Sequence, residues 1–243
     1  MAVPPGYPFR VRWSWVLFDV GETLIHPRES FGAVYARVLG GLGIDLDPAT
    51  LERALRTTWA EVSAGLPPGV DRYGVHPGGE PAYWLRFVER TLALAGGCPP
   101  GTAERALDPL RTAFAQPEAW AVYPDVEPTL ERLSRAGARL GVVSNWDSRL
   151  PTLLERMGLG RRFDTLAVSS LEGIEKPHPA LFERALTRLR ATPDRTAHVG
   201  DIPELDGAGA RAAGVYPVIV DRGGRHGPGS FPDLGAVADL LLA

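Results

Sequence analysis

From residue 124 to the C-terminus the chain alternates apolar runs with amphipathic stretches, and that alternation constrains its fold more than any other feature. Segments 139–143, 165–168, 196–199 and 215–220 read as strands, the last an edge strand because it contains Pro217. Segments 126–136, 150–157, 179–190, 205–213 and 234–242 read as helices. Strands separated by helices mean a parallel sheet covered on both faces. One further strand lies far upstream, where Trp15, Val16, Leu17 and Phe18 run into Asp19 and a short turn. Ligands of such sheets sit just beyond the carboxyl ends of the strands. Asp19 falls at one such end, Ser144 at a second and Asp201 at a third.

Between the first strand and the alternating region the pattern is helical. Phe31, Val34, Val38 and Leu42 recur at helical spacing, as do Leu51, Leu55, Trp59 and Val62. Two more faces follow, through Trp84, Phe87, Val88 and Thr91 and through Ala103, Leu107, Leu110 and Phe114. No strand signal interrupts them. The expected architecture is α/β: a doubly wound, parallel, Rossmann-like sheet formed by residues 1–25 and 122–243, with an α-helical cap, 26–121, inserted after the first strand. An insertion at a ligand-facing strand end is a natural lid. The long loop 66–79 carries Arg72, Tyr73 and His76, which are solvated loop residues or substrate contacts.

Composition narrows the function. A net charge of -3 gives no electrostatic reason for a nucleic-acid or membrane partner, and no apolar run reaches the roughly 18 residues of a membrane span. The first residues, rich in proline, lack a signal-peptide core. Cys98 is the only cysteine, so no internal disulfide can form, and a cytoplasmic location is the expectation. Lys176 is the only lysine; the other 25 of the 26 basic residues are arginine. A lysine is a compact point charge where arginine is a broad planar fork, so a solitary lysine suggests work that arginine cannot do.

Asp19, Ser144, Lys176 and Asp201, with Asp206 five residues further on, form a set: a carboxylate nucleophile, a hydroxyl, an ammonium and a second acidic cluster. Phosphoryl transfer needs such a set, because it is catalysed mainly by positioning and by stabilising spread negative charge. Two carboxylates can hold Mg²⁺, which keeps several waters and binds phosphate oxygens.

This set, in this order, resembles the haloacid dehalogenase superfamily, in its subfamily with a helical cap after the first motif. The matching segments are Phe18 to Leu24, Val143-Ser144-Asn145, Lys176 to Pro179, and Gly200-Asp201 through Asp206 to Ala210. Segment 144–150, together with Arg72, Tyr73 and Trp84, is similar to a subgroup related to rhythmically expressed, dehalogenase-like proteins. The resemblance implies that Asp19 is a nucleophile forming an aspartyl-phosphate, and that Ser144, Asn145 and Lys176 bind the phosphoryl group. It also implies that Asp19, Asp201 and the carbonyl of Gly21 hold Mg²⁺, with Asp206 supporting the site from behind. Arg72 and Tyr73 are the candidate substrate contacts of the cap. The implied partner is a small phosphorylated metabolite.

Gly21 departs from the family pattern. In the superfamily's phosphatases this position is a second aspartate, the general acid and base; glycine keeps the carbonyl and loses the acid. Loss of such a group typically slows a reaction by about 10²–10⁴. Glu22 and Asp147 are the nearby acids that could stand in, and His26 belongs near the lid hinge. Three readings stay open: a Mg²⁺-dependent phosphohydrolase favouring acyl or aryl phosphates, a metal-independent 2-haloacid dehalogenase, and a phosphometabolite-binding or interaction module.

Overall fold

The computed structural model describes residues 12–64, 66–67 and 69–243. The reading of the N-terminal segment 1–11 lies outside them. Five strands form one parallel sheet: β1 (Trp15–Phe18), β4 (Arg139–Ser144), β5 (Thr165–Val168), β6 (Thr196–Gly200) and β7 (Tyr216–Ile219). Their order is β5-β4-β1-β6-β7, with β1 in the centre and β7, containing Pro217, at an edge. Phe18 pairs with Val142 of β4 and with Val199 of β6. That register brings the carboxyl ends of three strands together.

Side chains of β1 alternate between two cores, as a strand's period of two requires. Val16 and Phe18 pack with α5 (Val126–Arg135), α6 (Leu150–Arg156) and α10 (Leu234–Leu242) through Leu130, Leu133, Leu153, Val237 and Leu241. Leu17 faces the opposite side. There Val143 and Ala167 meet α8 (Pro179–Leu189) and α9 (Ala208–Ala212) through Leu181, Phe182, Ala185 and Ala210. The short α7 (Ser169–Glu172) follows β5 directly. The doubly wound sheet expected from the alternation is thus the observed one.

Helices α1 (Phe31–Gly41), α2 (Pro48–Ala64), α3 (Gly79–Leu94) and α4 (Thr102–Phe114) surround a third core, which includes Tyr35, Leu39, Leu51, Tyr83, Phe87 and Leu110. Phe31 and Phe114 pack against both this core and that of Val16 and Phe18. One expectation fails here. The segment between β1 and residue 123 is not free of strands: β2 (Ile25–Pro27) pairs antiparallel with β3 (Trp120–Val122) at the two ends of the helical segment. Each has three residues, too few to show alternation, and β2 ends on a proline. His26 lies in this ribbon, its ring 4.5 Å from that of Tyr123. The stretch after β6 also differs. A wide π-helical turn, Pro203–Gly207, precedes α9, so the helix begins later than its apolar pattern suggests.

Candidate active site

At the carboxyl edge of β1, Asp19 leaves the strand with its backbone N–H donated to Val199 of β6, 2.8 Å away. Asp19, Asp201 and Asp206 are all buried, and one oxygen of each lies within 4.8 Å of the others. Lys176 Nζ sits among them, donating to Asp19 Oδ1 and to Asp206 Oδ1 at 2.7 Å each. Asp206 also meets His198 Nε2 at 2.8 Å and accepts from the Ile202 N–H at 3.0 Å. This approach needs Gly200, where a Cβ would fall 2.1 Å from Asp206 Cγ.

Electrostatics follow from this packing. Burial would raise the Asp206 carboxyl, but Lys176 and His198 hold it well below the usual carboxylate range. Burial pushes Asp19 up against the pull of Lys176, and pushes Asp201 up to about 7, helped by the charges of Asp19 and Asp206. The Lys176 ammonium is itself raised: burial opposes its charge, and Asp19 and Asp206 more than compensate. Burial holds His198 neutral, so its Nε2 carries the proton given to Asp206. Sequence reading missed His198. Its one signal is its place between Ala197 and Val199, two residues before Gly200.

Residues 13–214 match the haloacid dehalogenase-like hydrolase family. The chain belongs to it. Haloacid dehalogenase-like hydrolase domain-containing protein 3 of Danio rerio is 33% identical over 88% of this chain and 87% of its own length. A phosphoserine phosphatase of Thermus thermophilus is 34% identical over 78% of this chain and 74% of its own. The rhythmically expressed gene 2 protein of Drosophila melanogaster is 26% identical over 86% and 83%. Among solved structures, a defluorinating L-2-haloacid dehalogenase superposes with a TM-score of 0.71 at 20% identity, covering 95% of this chain and 96% of that one. That likeness is one of fold alone. As a family member the chain is a hydrolase, and no helix among the described residues is long and apolar enough to cross a membrane.

The donor set fits a small divalent cation. Three buried carboxylates face one ammonium, leaving an excess of negative charge in a buried site. Arg225 reaches Asp201 only at 3.8 Å from an exposed position, which offsets little. Oxygen donors suit hard cations, Mg²⁺ among them. Ser144 Oγ is buried at the end of β4, near enough to Asp19 to favour its ionised form, yet makes no hydrogen bond of good geometry.

Other candidates stand elsewhere than expected. The Asn145 side chain does not face an open ligand position: it clamps the Lys176 backbone, accepting from its N–H at 2.7 Å and donating to its carbonyl at 3.0 Å. Arg72 is not a solvated loop residue. Its guanidinium grips Glu175, next to Lys176, at 2.8 and 3.1 Å. Tyr73 is buried against Tyr83 and lines the cavity above Asp19. Of the two stand-in acids, Glu22 has a left-handed backbone (φ 54°) and accepts from the Tyr123 hydroxyl at 2.8 Å. Asp147 is paired with Arg149. The place beside Gly21 is occupied by an indole: a Cβ on Gly21 would lie 3.3 Å from Trp146 Cζ3.

Proposed function

We infer that this hydrolase is a Mg²⁺-dependent phosphatase acting on a small phosphorylated metabolite through an aspartyl-phosphate. The carrying observation is the shared contact of Lys176 with Asp19 and Asp206 inside a cluster of three buried carboxylates. Relatives named phosphoserine phosphatase and glyceraldehyde 3-phosphate phosphatase support the same class.

In this reading Asp19 attacks phosphorus, and Lys176 holds that carboxylate ionised and aimed while neutralising phosphoryl charge. Ser144 Oγ, without a partner of its own, donates to a phosphoryl oxygen. Asp19, Asp201 and the Gly21 carbonyl would hold Mg²⁺, which when bound supplies charge to offset the crowded carboxylates and the phosphate. Asp206 positions Lys176, and Asn145 fixes the backbone that carries it. Residues 26–121 act as the cap over a core of 1–25 and 122–243. Its selectivity comes from Gly21: with Glu22 and Asp147 both engaged, esters whose alcohol leaves without a proton react best.

The acidic cluster weighs against a metal-independent dehalogenase, since carbon–halogen displacement has no use for three carboxylates around a lysine. Turnover of phenyl phosphate with and without Mg²⁺, beside halide release from a 2-haloacid, separates the two. Mg²⁺-dependent phosphate release and no halide is expected; halide release, or metal-independent turnover, contradicts the proposal.

A further inference from the structure

Above Asp19 the core and the four helices enclose a cavity of about 510 Å³, a volume suited to a small organic ligand. Its walls are aromatic. Trp146 stands beside Gly21, Trp120 follows with its ring 5.0 Å away, and Phe31 and Phe114 continue the row. Trp59 and Trp84 face the cavity from α2 and α3, their rings 6.1 Å apart. Four of the chain's six tryptophans therefore line one space. The charged groups on its walls are largely spoken for: Arg149 by Asp147, Arg111 by Glu80, and Glu52 by the Gly32 N–H.

We propose that the substrate is an aryl phosphomonoester, its phosphoryl group at Asp19 and its ring system against the tryptophan and phenylalanine rings of the cavity. This rests on the phosphatase reading and deepens it. Two independent observations meet in that class. An apolar, ring-lined wall desolvates a polyol or an amino acid without repaying it, but stacks well on an aromatic leaving group. The indole beside Gly21 leaves no acid at that position, and an aryl oxygen needs none. As the Asp19 oxygen bonds to phosphorus, the P–O bond to the aryl oxygen breaks. The electron pair leaves on that oxygen, delocalised into the ring, and takes its proton from solvent; water then bonds to phosphorus, the bond to Asp19 breaks with its electron pair returning to the carboxylate, and inorganic phosphate leaves. A long-chain alkyl phosphate would satisfy the wall and fail at the first step.

The test compares 2-naphthyl phosphate with phenyl phosphate, whose alcohols are similar in acidity, so that their ratio reads ring contact rather than bond strength. The kcat/KM for the naphthyl ester should be about tenfold higher from the apolar area of the added ring, and O-phosphoserine should be about 10²-fold or more slower than either. Leu107→Trp, or Val88→Phe should that variant fail to fold, narrows the cavity and should bring the ratio towards one. A naphthyl-to-phenyl ratio of one or less in the unaltered protein, or preference for O-phosphoserine, overturns the proposal. Acetyl phosphate, with no ring to stack and too small to extend along the row of rings, isolates the chemistry. Asp19-dependent turnover of it with no naphthyl preference sinks the aryl class and leaves the phosphatase reading standing. With no turnover of any ester, the phosphatase reading fails, and calorimetric titration decides the ligand class: about tenfold tighter naphthyl phosphate binding upholds it, and equal binding overturns it.

Discussion

The two sides of the cavity are built on opposite principles. On the core side, charge is held by charge and hydrogen bonds: Lys176 joins Asp19 to Asp206, and Asp206 alone meets Lys176, His198 and the Ile202 N–H. On the side of the four helices, rings make the wall, and charged groups serve as fasteners. Arg72 holds Glu175, while Glu80 accepts from both Arg111 and the Ser148 N–H. The difference teaches that a charged, closely bonded edge and an apolar wall can be altered separately. On the proposed reading, the sheet edge sets what can be done to a phosphoryl group, and the aromatic wall sets which leaving group is brought to it.

The largest expected effect comes from altering the boundary between the sides. Gly21→Asp combined with Trp146→Ala restores both an acid and room for it, and should raise kcat/KM for alkyl phosphates by about 10²–10⁴. Gly21→Asp alone should gain far less, because the indole stands 3.3 Å from the new Cβ. Equal gains from the single and double variants would show that the wall does not control the acid's place. Next in size is Arg72→Ala, which strands Glu175 in a largely buried position and should cost about 3 kcal/mol in a denaturant titration. A loss below about 0.5 kcal/mol would place that pair among ordinary surface contacts.

Much of the molecule was legible because long-range order left local marks. The strand over Thr165–Val168 has the bounds its four-residue apolar run suggests, and Pro217 marked the sheet's edge. The β2–β3 ribbon left none, since three residues cannot display a period. At the site, residue type pointed to Asp19, Lys176 and Asp201, but what surrounds them depends on packing across the chain. That Asn145 would spend its amide on Lys176, that Glu22 would bond Tyr123, and that Trp146 would fill the space at Gly21 are contacts between segments 31, 101 and 125 residues apart. His198 needed the strand register before its meeting with Asp206 could be seen.

Two smaller effects sharpen the contrast. Asn145→Ala removes both bonds to the Lys176 backbone and should cost about 1–3 kcal/mol, expressed mainly in kcat because the lysine loses its aim. A change confined to KM would make Asn145 a substrate ligand instead. The smallest effect concerns pH. The folded chain keeps a proton on Asp201, raised to about 7, that the unfolded chain has released above its ordinary 3.8. Cation-free stability should therefore fall as the pH rises from about 4 to about 7. Mg²⁺ offsets the charge, so it should raise the melting temperature by about 3 °C near pH 8 and by less near pH 5. Asp201→Asn should abolish that difference; a Mg²⁺ shift independent of pH would contradict it.

The central claim is that Asp19 carries the phosphoryl group between two half-reactions, and acid-quenching the enzyme during turnover of an aryl phosphate with Mg²⁺ tests it most directly. The account predicts a phosphoryl group trapped on the peptide that holds Asp19, formed with a burst of phenol release and absent from Asp19→Asn. Full turnover with no trapped group and no burst, or turnover that survives Asp19→Asn, would contradict it.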